Sequence, residues 1–167
     1  MIDKVIWPER CAPGASAIYA LNDIDVKAPP EVVWKLLVDA EHWARYFPAE
    51  DQVSILSGEP ELMPGTRYHR VTVGYPMSLT VTEYVPNHRL AWATTVDGDD
   101  TGSSAYHGWV ITPTRDGCHV LTEETQQGEF FLDVIGRRNP GALYRYHQDW
   151  VERLARAAET EAAKLTA

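Results

Sequence analysis

Two side chains, His107 and Glu124, have the types and the spacing for proton transfer. Each lies in a stretch that alternates like a strand, on either side of Pro113-Thr114-Arg115-Asp116-Gly117, where proline and glycine mark a hairpin turn. With Thr114 to Gly117 as the loop, Pro113 pairs with Cys118. Counting outward then sets Trp109 opposite Thr122 and His107 opposite Glu124. Cross-strand partners have Cβ atoms about 5 Å apart, within reach of an imidazole–carboxylate hydrogen bond. A carboxylate beside an imidazole orients it and raises its pKa. Such a pair suits enolisation, aldol cyclisation or dehydration. It equally suits a buried polar pair that only holds a ligand. A slip of one residue exchanges Glu124 for Glu123, so the loop length decides between them.

His107 shares a strand face with Trp109 and Ile111, whose bulk points that face inward. Val120, Thr122, Glu124 and Gln126 then line the same interior, and Glu123 faces water. None of the six histidines falls in an HxxxH or HExxH spacing. His107, Glu124 and His147 could converge, but nothing matches a zinc-ligand pattern, and no metal or cofactor is expected. No glycine-rich phosphate loop, GxSxG elbow or Cys–His dyad is present.

The elements that must position these groups follow from periodicity. Residues 1–15 contain Pro8, Pro13 and Gly14 and read as an irregular arm. Ala17 to Val26 alternates as a first strand. Pro29-Pro30 starts a helix with Val33, Trp34 and Leu37 on one face. Asp39 is placed to cap a second short helix carrying Trp43, Tyr46 and Phe47, which Pro48 ends. Strands then run from Val53 to Leu56, Thr66 to Val73, Met77 to Val85, Arg89 to Val96, Ser104 to Thr112 and Cys118 to Gln127. A long amphipathic helix from about Pro140 to Leu165 closes the chain, with Leu143, His147, Trp150, Leu154 and Ala158 on one stripe. This order makes an α+β layout in one domain spanning 1–167. Two segments, Asp97 to Ser103 and Gly128 to Asn139 with its Phe130-Phe131-Leu132 patch, are placed to gate a pocket.

The chain has 167 residues and a formal net charge of −9, which argues against a nucleic-acid partner and against an anionic membrane surface. No apolar run is long enough for membrane insertion, and no signal peptide opens the chain. The two cysteines, Cys11 and Cys118, are isolated, which fits a cytoplasmic redox setting. Six tryptophans and eight tyrosines can fill a core or line a pocket for a flat apolar molecule.

Several motifs together resemble one family. They are Ala28-Pro29-Pro30-Glu31-Val32-Val33-Trp34, Asp39 with Trp43 and Phe47, Pro64-Gly65-Thr66, Glu83-Tyr84-Val85-Pro86 with Arg89-Leu90-Ala91-Trp92, Thr122-Glu123-Glu124 with Gly128, and the last helix with His147, Trp150 and Leu154. Over about residues 17–165 the chain is similar to the SRPBCC superfamily, the START or birch-pollen-allergen helix-grip fold, in its polyketide cyclase/dehydrase and lipid-transport branch. The resemblance implies a seven-stranded curved antiparallel sheet wrapped around the last helix, with a central hydrophobic cavity. Members bind hydrophobic small molecules; some are enzymes and many only carry ligands.

The resemblance also implies which faces point inward. It places Leu90, Trp92 and Thr94 inside, together with Tyr68 and Arg70, and a buried Arg70 needs an anion from Glu124 or from a ligand. Tyr84 stands where aromatase/cyclases of the superfamily carry a pocket arginine, and its hydroxyl could serve a carbonyl or enolate. Met77, Leu79 and Val81 could set the inward face instead, with Glu83 inside, and a bulge near Val85-Pro86 would reconcile the two. Trp43, Phe47, Trp92, Trp109, Phe131 and Trp150 are candidates for the pocket wall. The expectation is thus a monomer or homodimer that binds a polyketide-like, aromatic or lipid-like molecule. It either cyclises or dehydrates that molecule through His107, Glu124, Tyr84 and Arg70, or carries it unchanged.

Overall fold

The computed structural model describes residues 3–50 and 52–165. Seven strands form one antiparallel sheet in the order β1-β7-β6-β5-β4-β3-β2. They are β1 (Ile18–Val26), β2 (Val53–Ile55), β3 (Arg67–Thr72), β4 (Tyr75–Val85), β5 (Arg89–Val96), β6 (Ser104–Thr114) and β7 (Gly117–Gln127). Between β1 and β2 lie helix α1 (Pro30–Val38) and a 3-10 turn (Ala40–Arg45). After β7 come a short helical turn α2 (Glu129–Phe131), a π-helix (Leu132–Arg137) and the long α3 (Ala142–Leu165). The helix-grip arrangement implied by the sequence is therefore present. Among the described residues no helix is long and apolar enough to cross a membrane.

Local chemistry accounts for most of these boundaries. Pro30 opens α1, where a missing N–H costs nothing. Asp39 holds the N-cap position of the next turn but makes no side-chain cap bond; its carboxylate instead meets His42 Nδ1 at 2.6 Å. In α3 the buried residues Leu143, His147, Trp150, Val151, Leu154, Ala155 and Ala158 recur every three or four positions, giving one stripe against the sheet.

The β6–β7 register is the expected one: Pro113 faces Cys118, Trp109 faces Thr122 and His107 faces Glu124. The loop is shorter than expected, because Thr114 pairs with Gly117 and leaves only Arg115-Asp116 unpaired. Shortening by one residue on each side keeps the register, so Glu124 faces inward and not Glu123. In β4 the expected bulge exists but sits at Thr82, between the pairs Val81–Trp92 and Glu83–Ala91. One unpaired residue there lets Met77, Leu79, Val81 and Tyr84 all face inward and turns Glu83 outward.

The outer face departs from expectation. Glu123 does not face water: it is 2% exposed, accepting the Val5 N–H at 3.0 Å and the Tyr19 hydroxyl at 2.6 Å. The N-terminal arm lies over this face, burying Val5 against Ala91, Tyr106, Val110 and Leu121. Gly108 makes room for it, since a Cβ there would come within 2.6 Å of Val5 Cγ1 and 3.2 Å of Val5 Cβ. Gly108→Ala is expected to lift the arm and cost about 1–3 kcal/mol of overpacking. Limited proteolysis and thermal melting check this. The double variant Gly108→Ala/Val5→Ala should regain protection, because it removes the two closest methyls.

Candidate functional site

A cavity of about 250 Å³ lies between the sheet, the α2–π segment and the start of α3. Phe130, Phe131, Val134, Ile135 and Leu143 give it apolar walls, while Arg70, Glu124, Gln126, Tyr146 and His147 bring polar groups to it. A larger groove of about 690 Å³ runs outside, along α1 and α3 past Lys35, Arg45 and Arg156, and touches none of these polar groups. Apolar walls with a few convergent polar groups are the usual form of a small-molecule site, and the cavity has that form.

Strand alternation and helix periodicity bring three titratable residues together. His107 and His147 are each 1% exposed and Glu124 is 4% exposed. Glu124 Oε2 lies 3.1 Å from His147 Nε2 in a hydrogen bond, and its Oε1 accepts the Gln126 amide at 2.8 Å. His107 Nδ1 is also 3.1 Å from Oε2, but off the direction needed for a hydrogen bond. On its other side, His107 Nε2 is 2.7 Å from Thr122 Oγ1, and that hydroxyl is 3.0 Å from the Gly108 carbonyl.

Electrostatics divide the charge in this cluster. Burial alone would raise the Glu124 carboxyl; the His107 and His147 imidazoles and the Arg70 guanidinium outweigh it and hold it at about 2. Burial pushes His107 well below the usual imidazole range, helped by His147 and Arg70 and opposed by Glu124. These tendencies conflict, since a neutral His107 lends Glu124 no charge. Both Glu124 oxygens accept hydrogen bonds, which suits an ionised carboxylate, while burial favours the neutral form of His107. The Nε2–H of His147 donates to Glu124; in the neutral ring Nδ1 then carries a lone pair, and that atom has no partner among the described residues.

A second polar group adjoins the first. Arg70, 4% exposed, reaches Glu50 Oε1 at 3.4 Å, and its Nε has no partner among the described residues. The same Glu50 oxygen accepts the hydroxyls of Tyr146 and Thr72. Burial opposes the charge on Arg70, and Glu50, Tyr68, Tyr146 and Glu124 together outweigh it, so the guanidinium stays charged. Burial raises the Tyr146 phenol well above its ordinary range, and Glu50 raises it further, so it stays protonated.

Comparison with known proteins now bears on this cavity. Residues 22–159 match the family model described as polyketide cyclase/dehydrase and lipid transport. The chain belongs to that family. No protein of curated function matches it. Among solved structures, a hypothetical protein of Helicobacter pylori, jhp0584, is similar over 95% of this chain and 98% of its own, with 23% identity and a TM-score of 0.85. The di-domain ARO/CYC StfQ from the steffimycin biosynthetic pathway has 13% identity and a TM-score of 0.70; 87% of this chain spans about half, 52%, of that one. The Aha1 dimer from Colwellia psychrerythraea has 15% identity and a TM-score of 0.62, over 85% of this chain and 96% of its own. At such identities these likenesses speak for the fold.

Within this polyketide cyclase/dehydrase fold the expected site residues separate into groups. Arg70, Glu124, Phe131 and His147 reach the cavity wall. His107 stands behind Glu124, between Trp92 and Trp109, and is not on the wall. Trp43, Phe47, Tyr68, Trp92, Trp109 and Trp150 are fully buried and pack ring against ring, as in the Phe47–Trp150 stack at 5.0 Å. With Leu90 and Thr122 they fill the interior beneath the cavity and do not line it. Tyr84 leaves the candidate site: it faces inward but packs edge-on against Trp34 of α1, 5.0 Å between rings. The segment after Gly128 covers the cavity, whereas the Asp97–Ser103 loop braces it from outside, with Ser103 Oγ accepting the Phe130 N–H at 3.1 Å.

Glu50 and Tyr146 escaped the sequence reading. Glu50 lies in a loop, where periodicity marks no face, and Tyr146 sits on the flank of the α3 stripe. The spacing of Tyr146, three after Leu143 and four before Trp150, is the one signal that could have found it.

His107, Glu124 and His147 offer ligand atoms within 4.8 Å of one another, a donor set that suits zinc or a similar ion. The two imidazoles, however, are stacked, with ring centroids 4.5 Å apart and planes at 21°. A ring nitrogen ligates in its own ring plane, and nearly parallel planes do not meet at one ion. A metal here would require one ring to turn.

Proposed function

We propose that the protein binds a hydrophobic carbonyl compound in this cavity and moves protons on it, the step shared by cyclisation and dehydration. The observation that carries the reading is the bare Nδ1 of His147, in a side chain that lines the cavity and is oriented by Glu124. A carboxylate that holds one ring N–H leaves the other nitrogen as a base and stabilises the imidazolium that forms. In the proposed step, Nδ1 removes a proton α to the carbonyl. Charge develops on the carbonyl oxygen, and Arg70, with its unpartnered Nε, is suited to hold it. The imidazolium then returns the proton, either to carbon or to a departing hydroxyl, which leaves as water. The family description, polyketide cyclase/dehydrase and lipid transport, supports this class of substrate, and the ARO/CYC designation of StfQ agrees with it.

The test is deuterium wash-in. With 2-acetylnaphthalene in D₂O, the protein should speed exchange of the methyl protons, followed by NMR. A ketone that binds without faster exchange would make the protein a carrier and end the catalytic reading. Mass spectrometry of a co-purified ligand would then identify the cargo.

Entry to the cavity is assigned to the α2–π segment. Phe131 is 2% exposed and forms part of the wall. Phe131→Ala is expected to speed both binding and release of the ketone in stopped-flow measurements, and to cost about 3–5 kcal/mol of stability. Unchanged rates in a folded variant would remove the gating role.

A further inference from the structure

The β3–β4 hairpin turns through two residues, Val73 and Gly74, between the paired Thr72 and Tyr75. Both have positive φ, +52° for Val73 and +83° for Gly74. A two-residue turn of this hand suits a twisted hairpin and favours Asn-Gly. Glycine takes such a φ freely, but a β-branched valine is strained there, because its Cβ crowds the backbone. Among the described residues, the non-glycine residues with positive φ are Val73 and Asn87, and asparagine is a type that tolerates it.

The fold gives Val73 little in return. The residue is 75% exposed, so its side chain is scarcely packed against protein. Yet it lines the same cavity as Arg70, Glu124 and His147. A side chain that lines a cavity while open to solvent stands at the mouth. Val134 and Ile135 reach that cavity from the π-helix, a rare form of backbone that is often found at functional sites. The Tyr75 and Phe130 rings, 4.9 Å apart, join the hairpin to the segment carrying the π-helix. Two irregular pieces of backbone thus border one cavity, and local strain of this kind is characteristic of ligand clamps.

Distance narrows what could use Val73. It follows Arg70 by three residues, so the two stand up to about 10 Å apart along the extended chain. We propose that Val73 is a ligand-contact residue that sets specificity for length: a carbonyl compound whose oxygen meets Arg70 extends an apolar tail through the mouth and over Val73. Burial of the valine under the tail then supplies in the complex what the free protein lacks. This inference rests on the ligand occupying the cavity described above.

Val73→Asn tests it, with acetophenone as the compact ligand and 4′-hexylacetophenone as the long one, both followed by quenching of tryptophan fluorescence. Asparagine suits the turn and removes the apolar contact. The variant should melt at a higher temperature than the wild type. It should bind the hexyl compound roughly five- to tenfold more weakly, within the scale of burying one valine, and bind acetophenone as before. Val73→Gly should repeat this pattern of affinities. Unchanged binding of the hexyl compound in both variants would overturn the contact, and so would an equal loss for the two ketones. A lower melting temperature for Val73→Asn would remove the strain on which the inference stands. If the wild type binds neither ketone, the cavity reading itself falls.

Discussion

Replacing His147 with phenylalanine is expected to slow deuterium exchange on a bound ketone roughly a hundredfold or more, the scale of a lost general base. The ring keeps its volume in a site that is 1% exposed, so the cavity should still bind. Loss of the Nε2–H leaves Glu124 Oε2 without that donor, a cost of about 1–3 kcal/mol that alone says nothing about function. Glu124→Gln separates the two effects. It keeps the side chain's shape, but an amide can offer its N–H to Nε2 and so move the ring proton to Nδ1. A comparable loss of exchange in a stably folded Glu124→Gln protein is the signature of an oriented base. Should both variants exchange at the wild-type rate, His147 is a packing residue and the catalytic reading ends.

The second large effect is acid sensitivity of the fold. The Glu124 carboxyl is held below its ordinary 4.5, which makes its ionised form a source of stability. Because the folded value is the lower one, this stability is present above about pH 4.5 and is lost as pH falls toward 2. His107 acts with the same sign and earlier. Its folded value lies well below 6.5, so from that pH downward the unfolded chain takes up a proton that the folded chain refuses. Urea midpoints should therefore fall steadily from pH 7 to pH 3 for the wild type. The Glu124→Gln protein should flatten below pH 4.5, keeping only the slope due to other groups. Curves of equal steepness for the two proteins would show that Glu124 is not held ionised by its neighbours.

Much of the framework was legible from residue order. The alternation of β6 and β7 and the turn between them put His107 opposite Glu124, because pairing across a short hairpin depends only on counting outward from the loop. A loop two residues shorter than expected did no harm, since the closure was symmetric. The stripe on α3 likewise announced that His147 faces the sheet.

Other features depend on contacts between segments far apart in the chain, which no local period records. Glu50, in a loop, meets Arg70 from β3 and Tyr146 from α3, and only the curvature of the sheet around the helix brings the three together. Glu123 reads as a solvent-facing residue from alternation alone, yet the arm buries it, because alternation tells one sheet face from the other and not what covers either. Trp92 and Trp109 look like a pocket wall, but ring-on-ring packing with Trp43 and Trp150 makes them the floor beneath it. The sequence by itself determined the elements, their order and the pairing of His107 with Glu124, all set by short-range periodicity and one turn. Tertiary structure alone decided which nitrogen of His147 is bare, which carboxylate holds Arg70 and how much space is left, because these depend on how a curved sheet closes over a helix.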